Sequence, residues 1–291
     1  MAIAYGICDD PGHKKIILDA IEKQMEQEKL FFWPITMRSY APGEGKEWQF
    51  PFPGYENGDL FLSWGSIGVR AYADYNPGLA LKYVKNVLQQ YSKDGLAYQR
   101  YGRLKQDGLG DDILSGNSLA IVGLYQAIYG INPLYNRLYI DPHLTGELTG
   151  TEVNYNFRGQ RLKIYLDSNK YTVSNKIFKL TSPRKFGFYA TTDQLSYFDG
   201  NSEKASLQIT SGQQLAIEIK NWDRNKIEFI ETAGKASTKP WACVVHPLQP
   251  NTYYSFRVNG KLIRQIKSNA NGDILLDHQL TANSDVITLG N

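Results

Sequence analysis

The chain has 291 residues, 42% of them hydrophobic, enough for two domains of ordinary size with packed cores. Its formal net charge is only +3 and no Lys/Arg or Asp/Glu block stands out, which argues against a nucleic-acid partner and against a disordered acidic tail. No apolar run reaches membrane-spanning length, and Cys8, Cys243 and four scattered histidines show no ligand spacing, so two free thiols and no metal or cofactor are expected.

The first segment, AIAYGI, reads like the interior of a helix begun without a cap, and no basic leader precedes it. A fragment of a longer protein is therefore expected, and the localisation of that parent, periplasmic or secreted, stays open. Asp9-Asp10-Pro11 starts a helix over residues 13–29, with Ile16, Ile17, Ala20, Ile21 and Met25 on one stripe. A second helix is predicted over 60–75, a third from Asn76-Pro77 to about residue 91, and a fourth over 114–129, closed by Gly130 with Pro133 beyond. Residues 31–59 and 93–113 lie between them without a period, rich in Pro, Gly and aromatic residues. Loops of that length in a compact domain point to function, and both precede a helix, so they are expected to gather at one end of the helical layer.

After residue 136 the pattern changes to alternating strands, with turns at Arg158-Gly159 and Ser168-Asn169. Strand-like segments continue at regular spacing to the end, a sandwich pattern. A break near Asp199-Gly200-Asn201 divides it. The predicted organisation is α+β multidomain: helical hairpins over 1–135, a β region over 136–199 and an immunoglobulin- or fibronectin-like sandwich over 200–291. Leu248, Pro250, Thr252 and Tyr254 have the spacing of a tyrosine corner, in which the hydroxyl bonds back to the main chain, and Trp222 suits a sandwich core.

Two stretches carry a resemblance. Tyr55-Glu56-Asn57-Gly58-Asp59 is similar to the ENGG-x-Y loop of cellobiose-phosphorylase-like enzymes, with Asp59 in place of the second glycine. Gly130-Ile131-Asn132-Pro133 followed by Leu138-Tyr139-Ile140-Asp141-Pro142 is similar to the exit from their last barrel helix. On these the helical half resembles the six-hairpin, or (α/α)6, glycosidase superfamily. The resemblance implies a toroid with its active site at one end. It also implies an incomplete toroid, since twelve helices are needed and about four are present. A missing N-terminal portion or a second copy would then cover the exposed helices.

Glycoside cleavage needs two carboxyl groups, one to protonate the leaving oxygen and one to activate water or attack. The candidates are Glu56, in the first loop, and Asp111 and Asp112, in the second; each also reads as a loop brace or helix cap. Asp59 reads as a helix cap. Trp33, Tyr55, Asn57, Trp64, Tyr98, Gln99, Arg100 and Tyr101 are candidate contacts to an oligo- or polysaccharide, through flat rings and hydroxyl-binding groups, though core packing explains the aromatics equally well. In glucosidase-like members of the superfamily a Glu serves as base where Gln99 stands, and an amide takes no proton at neutral pH. In the phosphorylase branch phosphate itself attacks, and the loop 108–117 would hold it, against the repulsion of Asp111 and Asp112. The readings left open are an inverting glycoside hydrolase fragment inactive alone, a glycan phosphorylase, and a non-catalytic carbohydrate-binding protein.

Overall fold

A computed structural model describes residues 1–46, 51–110, 116–211, 214–233, 241–280 and 283–291. The chain forms two compact units, Met1–Gly130 with His143–Thr145, and Ile131–Pro142 with Gly146–Asn291.

The first unit contains α1 (Pro11–Glu28), α2 (Gly65–Ala73), α3 (Pro77–Asp94) and α4 (Leu119–Gly123), the last running on into a wider π turn over Leu124–Ile128. A two-stranded ribbon joins β1 (Arg100–Tyr101) to β2 (Gly108–Leu109). Local chemistry sets the helix starts. The Asp10 carboxylate accepts the His13 N–H at 2.7 Å, and the Asn76 side chain accepts the Leu79 N–H at 3.1 Å, each with a proline at the next position. Ala2–Gly6 forms turns, not helix.

The helical hairpins of an (α/α) toroid are not formed, for three reasons. First, α1 buries only Leu18 and Met25 fully, while Ile16 and Ile17 of the expected stripe face solvent. Second, the helix expected from residue 60 loses its first turn to tertiary pairing: Leu60 and Tyr101 exchange both main-chain hydrogen bonds at 2.9 Å, and Leu62–Trp64 is a 3-10 turn. Third, α2 and α4 span nine and five residues, too short for barrel hairpins. Among the described residues the unit has a small core cluster in which Met25, Phe32, Leu60, Leu62, Tyr83, Val87 and Tyr101 pack together. Among the described residues no helix is long and apolar enough to cross a membrane.

The second unit is almost entirely β. Its strands run β3 (Ile131–Leu134), β4 (Arg137–Ile140), β5 (Thr151–Phe157), β6 (Gln160–Leu166), β7 (Tyr171–Ser174) and β8 (Phe178–Ser182). They continue as β9 (Phe186–Ala190), β10 (Gln194–Asp199), β11 (Leu207–Thr210), β12 (Leu215–Trp222), β13 (Lys226–Ala233) and β14 (Trp241–Val245). The last four are β15 (Tyr253–Val258), β16 (Lys261–Lys267), β17 (Ile274–His278) and β18 (Ser284–Gly290). One sheet has the order β17-β14-β11-β10-β9-β4-β3, the other β16-β15-β18-β13-β12-β8-β7-β6-β5. All pairs are antiparallel except β8 with β12. Alternation drives this arrangement: along β6, Leu162, Ile164 and Leu166 are buried while Arg161, Lys163 and Tyr165 are exposed. Rings from the two sheets meet inside, Phe178 on Phe188 at 5.7 Å and Tyr197 on Trp222 at 5.3 Å, a sandwich-like core.

Asp199-Gly200-Asn201 is no domain break. It is the turn of the β10–β11 hairpin, and both sheets run through the residues on either side of it. The expected separate immunoglobulin- or fibronectin-like domain over 200–291 is therefore replaced by one two-sheet unit. The tyrosine corner is present within it. The Tyr254 hydroxyl accepts the Gln249 N–H at 2.9 Å and donates to the Arg224 carbonyl at 2.6 Å.

Candidate functional site

The two long loops of the first unit meet at Asp59. Its carboxylate is buried, with Oδ2 accepting the Tyr55 N–H at 2.7 Å and Arg100 Nε at 2.9 Å, and Oδ1 accepting the Arg103 N–H at 3.1 Å. Asp59 is thus a staple between loops, not the helix cap its sequence position suggested. Arg103, also buried, forks onto Glu28 of α1 through Nε–Oε2 at 2.6 Å and Nη2–Oε1 at 2.8 Å. Its remaining N–H groups donate to the carbonyls of Thr36 at 2.8 Å and Met37 at 3.1 Å. The Arg103 guanidinium holds the Glu28 carboxyl below the usual carboxylate range.

This clamp positions Arg100. With Nε on Asp59 and Nη1 on the Gln99 side-chain oxygen at 2.8 Å, its guanidinium carbon lies 4.9 Å from the centre of the Tyr55 ring. The turn that places Tyr55 depends on Gly58, whose φ is +139° and whose added Cβ would fall 2.9 Å from Pro53 Cα. A larger residue there would move the whole 55–59 segment.

The structure disperses the other expected site residues. Glu56 is half-buried in the 3-10 turn Tyr55–Asn57, and its carbonyl accepts the Tyr40 hydroxyl at 3.1 Å. Asn57 is buried and braces the loop: its side-chain oxygen accepts the Tyr40 N–H at 3.1 Å. Tyr101 is fully buried and donates to Asp94 at 3.1 Å, and burial holds its hydroxyl protonated well above the usual tyrosine range. Trp33 packs against Tyr83 at 4.2 Å and Tyr72 at 5.2 Å, lying flat on α2 where Gly68 has no side chain. Tyr98 stacks edge-on to Tyr101 at 6.2 Å. Asn57 and Tyr101 therefore serve the fold, as braces and core aromatics do, while Trp33 packs in the core and also lines the apolar groove that Trp64 borders. Asp111 and Asp112 lie outside the described residues.

Trp64 is different. Half of its surface is exposed (51%), and it borders an apolar groove of about 490 Å³ together with Ile17, Ile21, Ile35, Phe61 and Ile67. The groove and the Asp59 clamp share a wall. Ile35 N donates to the Asp59 carbonyl at 2.9 Å, and Phe61 stands edge-on to Tyr55 at 5.8 Å. Of the residues named from the sequence, Tyr55, Gln99 and Arg100 lie together at the junction and Trp64 lies at the groove, whereas the clamp pair Glu28 and Arg103 and the groove itself were not named. Residues 28, 59 and 103 have no mutual spacing that marks them as partners. Only the length of the two loops hinted that something must hold them.

Chemically, Asp59 has its lone pairs committed to three donors and cannot serve as an acid or base without breaking the loop junction. What remains accessible is a ring, a guanidinium and an amide fixed in one geometry, beside a groove rimmed by an exposed indole. Among the described residues no group of three or more His, Cys, Asp or Glu gathers as a metal would require. No family model and no curated protein matches the chain. With no matching family, and sheets in place of hairpins, the resemblance to six-hairpin glycosidases does not hold.

Proposed function

We propose that the first unit binds neutral carbohydrate without cleaving it, with Trp64 as a stacking platform and Tyr55, Gln99 and Arg100 as the polar edge that takes sugar hydroxyls. The observation that carries this reading is the Asp59 junction, which fixes the guanidinium of Arg100 over the ring of Tyr55 before any ligand arrives. Preorganised groups lose little freedom on binding, so they favour recognition of a weakly held, hydroxyl-rich ligand. The groove of about 490 Å³ has the size of a small-molecule site, and its exposed indole offers the flat apolar face that a sugar ring stacks on. Cleavage is the weaker reading, because it needs a pair of carboxyl groups around one bond. The buried carboxylate at this junction, Asp59, already accepts three hydrogen bonds that hold the loops.

The test is titration of the full chain with neutral hexasaccharides of glucose, xylose and mannose, followed by tryptophan fluorescence and calorimetry. Trp64→Ala is expected to weaken binding by about tenfold or more, and Arg100→Ala by several-fold, as for removal of an aromatic anchor and a charged hydrogen-bond donor. Equal affinity in Trp64→Ala would remove the platform and the proposal with it. Hydrolysis of a hexasaccharide that Glu56→Gln abolishes would replace binding by catalysis.

A further inference from the structure

A second candidate surface lies on the outer face of the nine-stranded sheet. Register places Asn154 of β5, Lys163 of β6, Ser174 of β7 and Lys179 of β8 in one row across four strands. Arg161 is two residues from Lys163 on the same strand and so leaves the same face. Lys176 follows the end of β7. Asn154, Arg161, Lys163, Ser174 and Lys176 line one open groove of about 530 Å³.

The floor of this groove is built from amides that satisfy one another. Asn175 Nδ2 donates to Gln160 Oε1 at 3.1 Å, and Gln160 Nε2 donates to the Ala190 carbonyl at 2.7 Å. Asn175 Oδ1 accepts the main-chain N–H groups of Ile177 and Phe178 at 2.8 and 3.0 Å. The cations stand above that floor with little to oppose them. The lining holds three, Arg161, Lys163 and Lys176, and no carboxylate. Glu152 reaches Lys163 at 2.7 Å, but both side chains are about half exposed, a pairing of small worth. Among the described residues no hydrogen bond or ion pair engages the side chain of Arg161 or of Lys176. Like charges gathered around one groove repel each other, so the arrangement is stabilised when an anion enters.

We infer that this groove binds an acidic saccharide, a sugar chain bearing carboxylates or sulfates, with Arg161, Lys163 and Lys176 on its charges and Asn154 and Ser174 on its hydroxyls. An arginine fork matches a carboxylate or sulfate in two parallel hydrogen bonds. The groove is many times the volume of one hydrated ion, which favours a chain over a lone anion. It has no aromatic ring among its lining residues, and stacking platforms are what single-stranded nucleic acids require. This site shares no lining residue with the one centred on Trp64 and does not rest on it.

The experiment titrates the full chain with hexagalacturonate, with maltohexaose as the neutral control, and with inorganic phosphate and a thymidine oligonucleotide as competing anions. Hexagalacturonate is expected to bind, to weaken as salt is raised, and to lose about tenfold or more in Arg161→Ala/Lys176→Ala. Those positions are exposed, so the double variant should melt like the parent, and Arg161→Lys should retain partial binding. Maltohexaose should not compete. Absence of hexagalacturonate binding, undiminished binding in the folded double variant, or tighter binding of phosphate or the oligonucleotide would each overturn the inference.

Discussion

The two units handle buried acid in opposite ways. In the first, every charge of the loop junction has a partner: Asp59 takes three donors, and Glu28 takes a forked arginine that also satisfies two carbonyls. In the second, Glu231 of β13 stands opposite Asp285 of β18 in the ladder, both fully buried. Asp285 is supported by Asn259 Nδ2 at 2.7 Å and His278 Nε2 at 3.0 Å, whereas neither carboxyl oxygen of Glu231 has a hydrogen-bond partner among the described residues. A carboxylate paired as Glu28 is, with its pKa held down by Arg103, ties segments together. An unpaired one must keep its proton, and the proton becomes a structural element.

The sharpest way to break this comparison is Glu231→Gln, from which the largest effect is expected. Burial first, and then the charge of Asp285, raise the Glu231 pKa from 4.5 to about 8, against the indole N–H of Trp241, which pulls the other way without forming a hydrogen bond. Cys243, also close by, is a thiol that burial keeps protonated, with Glu231 and Asp277 adding to the effect. Below pH 4.5 the carboxyl is protonated in folded and unfolded chains alike, and its full contribution is present. As pH rises from 4.5 toward 8 only the unfolded chain gives up the proton, so stability falls by up to about 1.4 kcal/mol per pH unit. Above pH 8 the loss is complete. Urea denaturation across this range should show the decline in the parent and a flatter profile in Glu231→Gln, which keeps a neutral group of the same shape. Parallel profiles would mean that Glu231 is ionised in the fold and paired after all.

The converse test falls on the clamp. Arg103→Met takes the donor from the Thr36 carbonyl and leaves the Glu28 carboxylate and the Met37 carbonyl with Gln24 Nε2 alone, at 2.9 Å from each. Because Arg103 is only 1% exposed, a loss of about 3 kcal/mol is expected in urea denaturation. Pairing the change with Glu28→Gln should restore part of it, since the stranded charge is then gone. A loss below about 1 kcal/mol would place the clamp among ordinary surface ion pairs.

What could be read from the sequence follows the range of the interactions. The strands after residue 136 were legible because alternation is local, and Arg158-Gly159 announced the β5–β6 turn, where both residues have positive φ. The starts of α1 and α3 were legible because Asp10 and Asn76 act three residues away. The first turn of the helix expected from residue 60 was not, because Leu60 pairs with Tyr101 forty-one residues on, and nothing near Leu60 records that choice. The merging of the two β regions was equally hidden: β8 pairs with β12 in parallel across the Gly200 turn, and periodicity does not state which strand lies beside which. At the junction, Tyr55 and Arg100 were named from loop composition and Gln99 from the family resemblance, while Glu28 and Arg103 went unnamed because a charge clamp assembled from three segments has no signature in any one of them.

The smallest effect belongs to the device most plainly written in the sequence. Tyr254→Phe removes a hydroxyl that accepts the Gln249 N–H and donates to the Arg224 carbonyl. Both partners are main-chain groups of exposed residues, to which water can return, so the loss should be about 1 kcal/mol, read as a modest shift of the urea midpoint with the slope unchanged. A loss of 3 kcal/mol or more would mean that the corner is sealed from water and holds the sheets as firmly as Arg103 holds the loops. The expected order, Glu231, then Arg103, then Tyr254, runs opposite to their visibility in the sequence. A motif with fixed spacing advertises a neutral, local hydrogen bond, whereas the costly interactions are charges taken out of water against partners that only the fold selects.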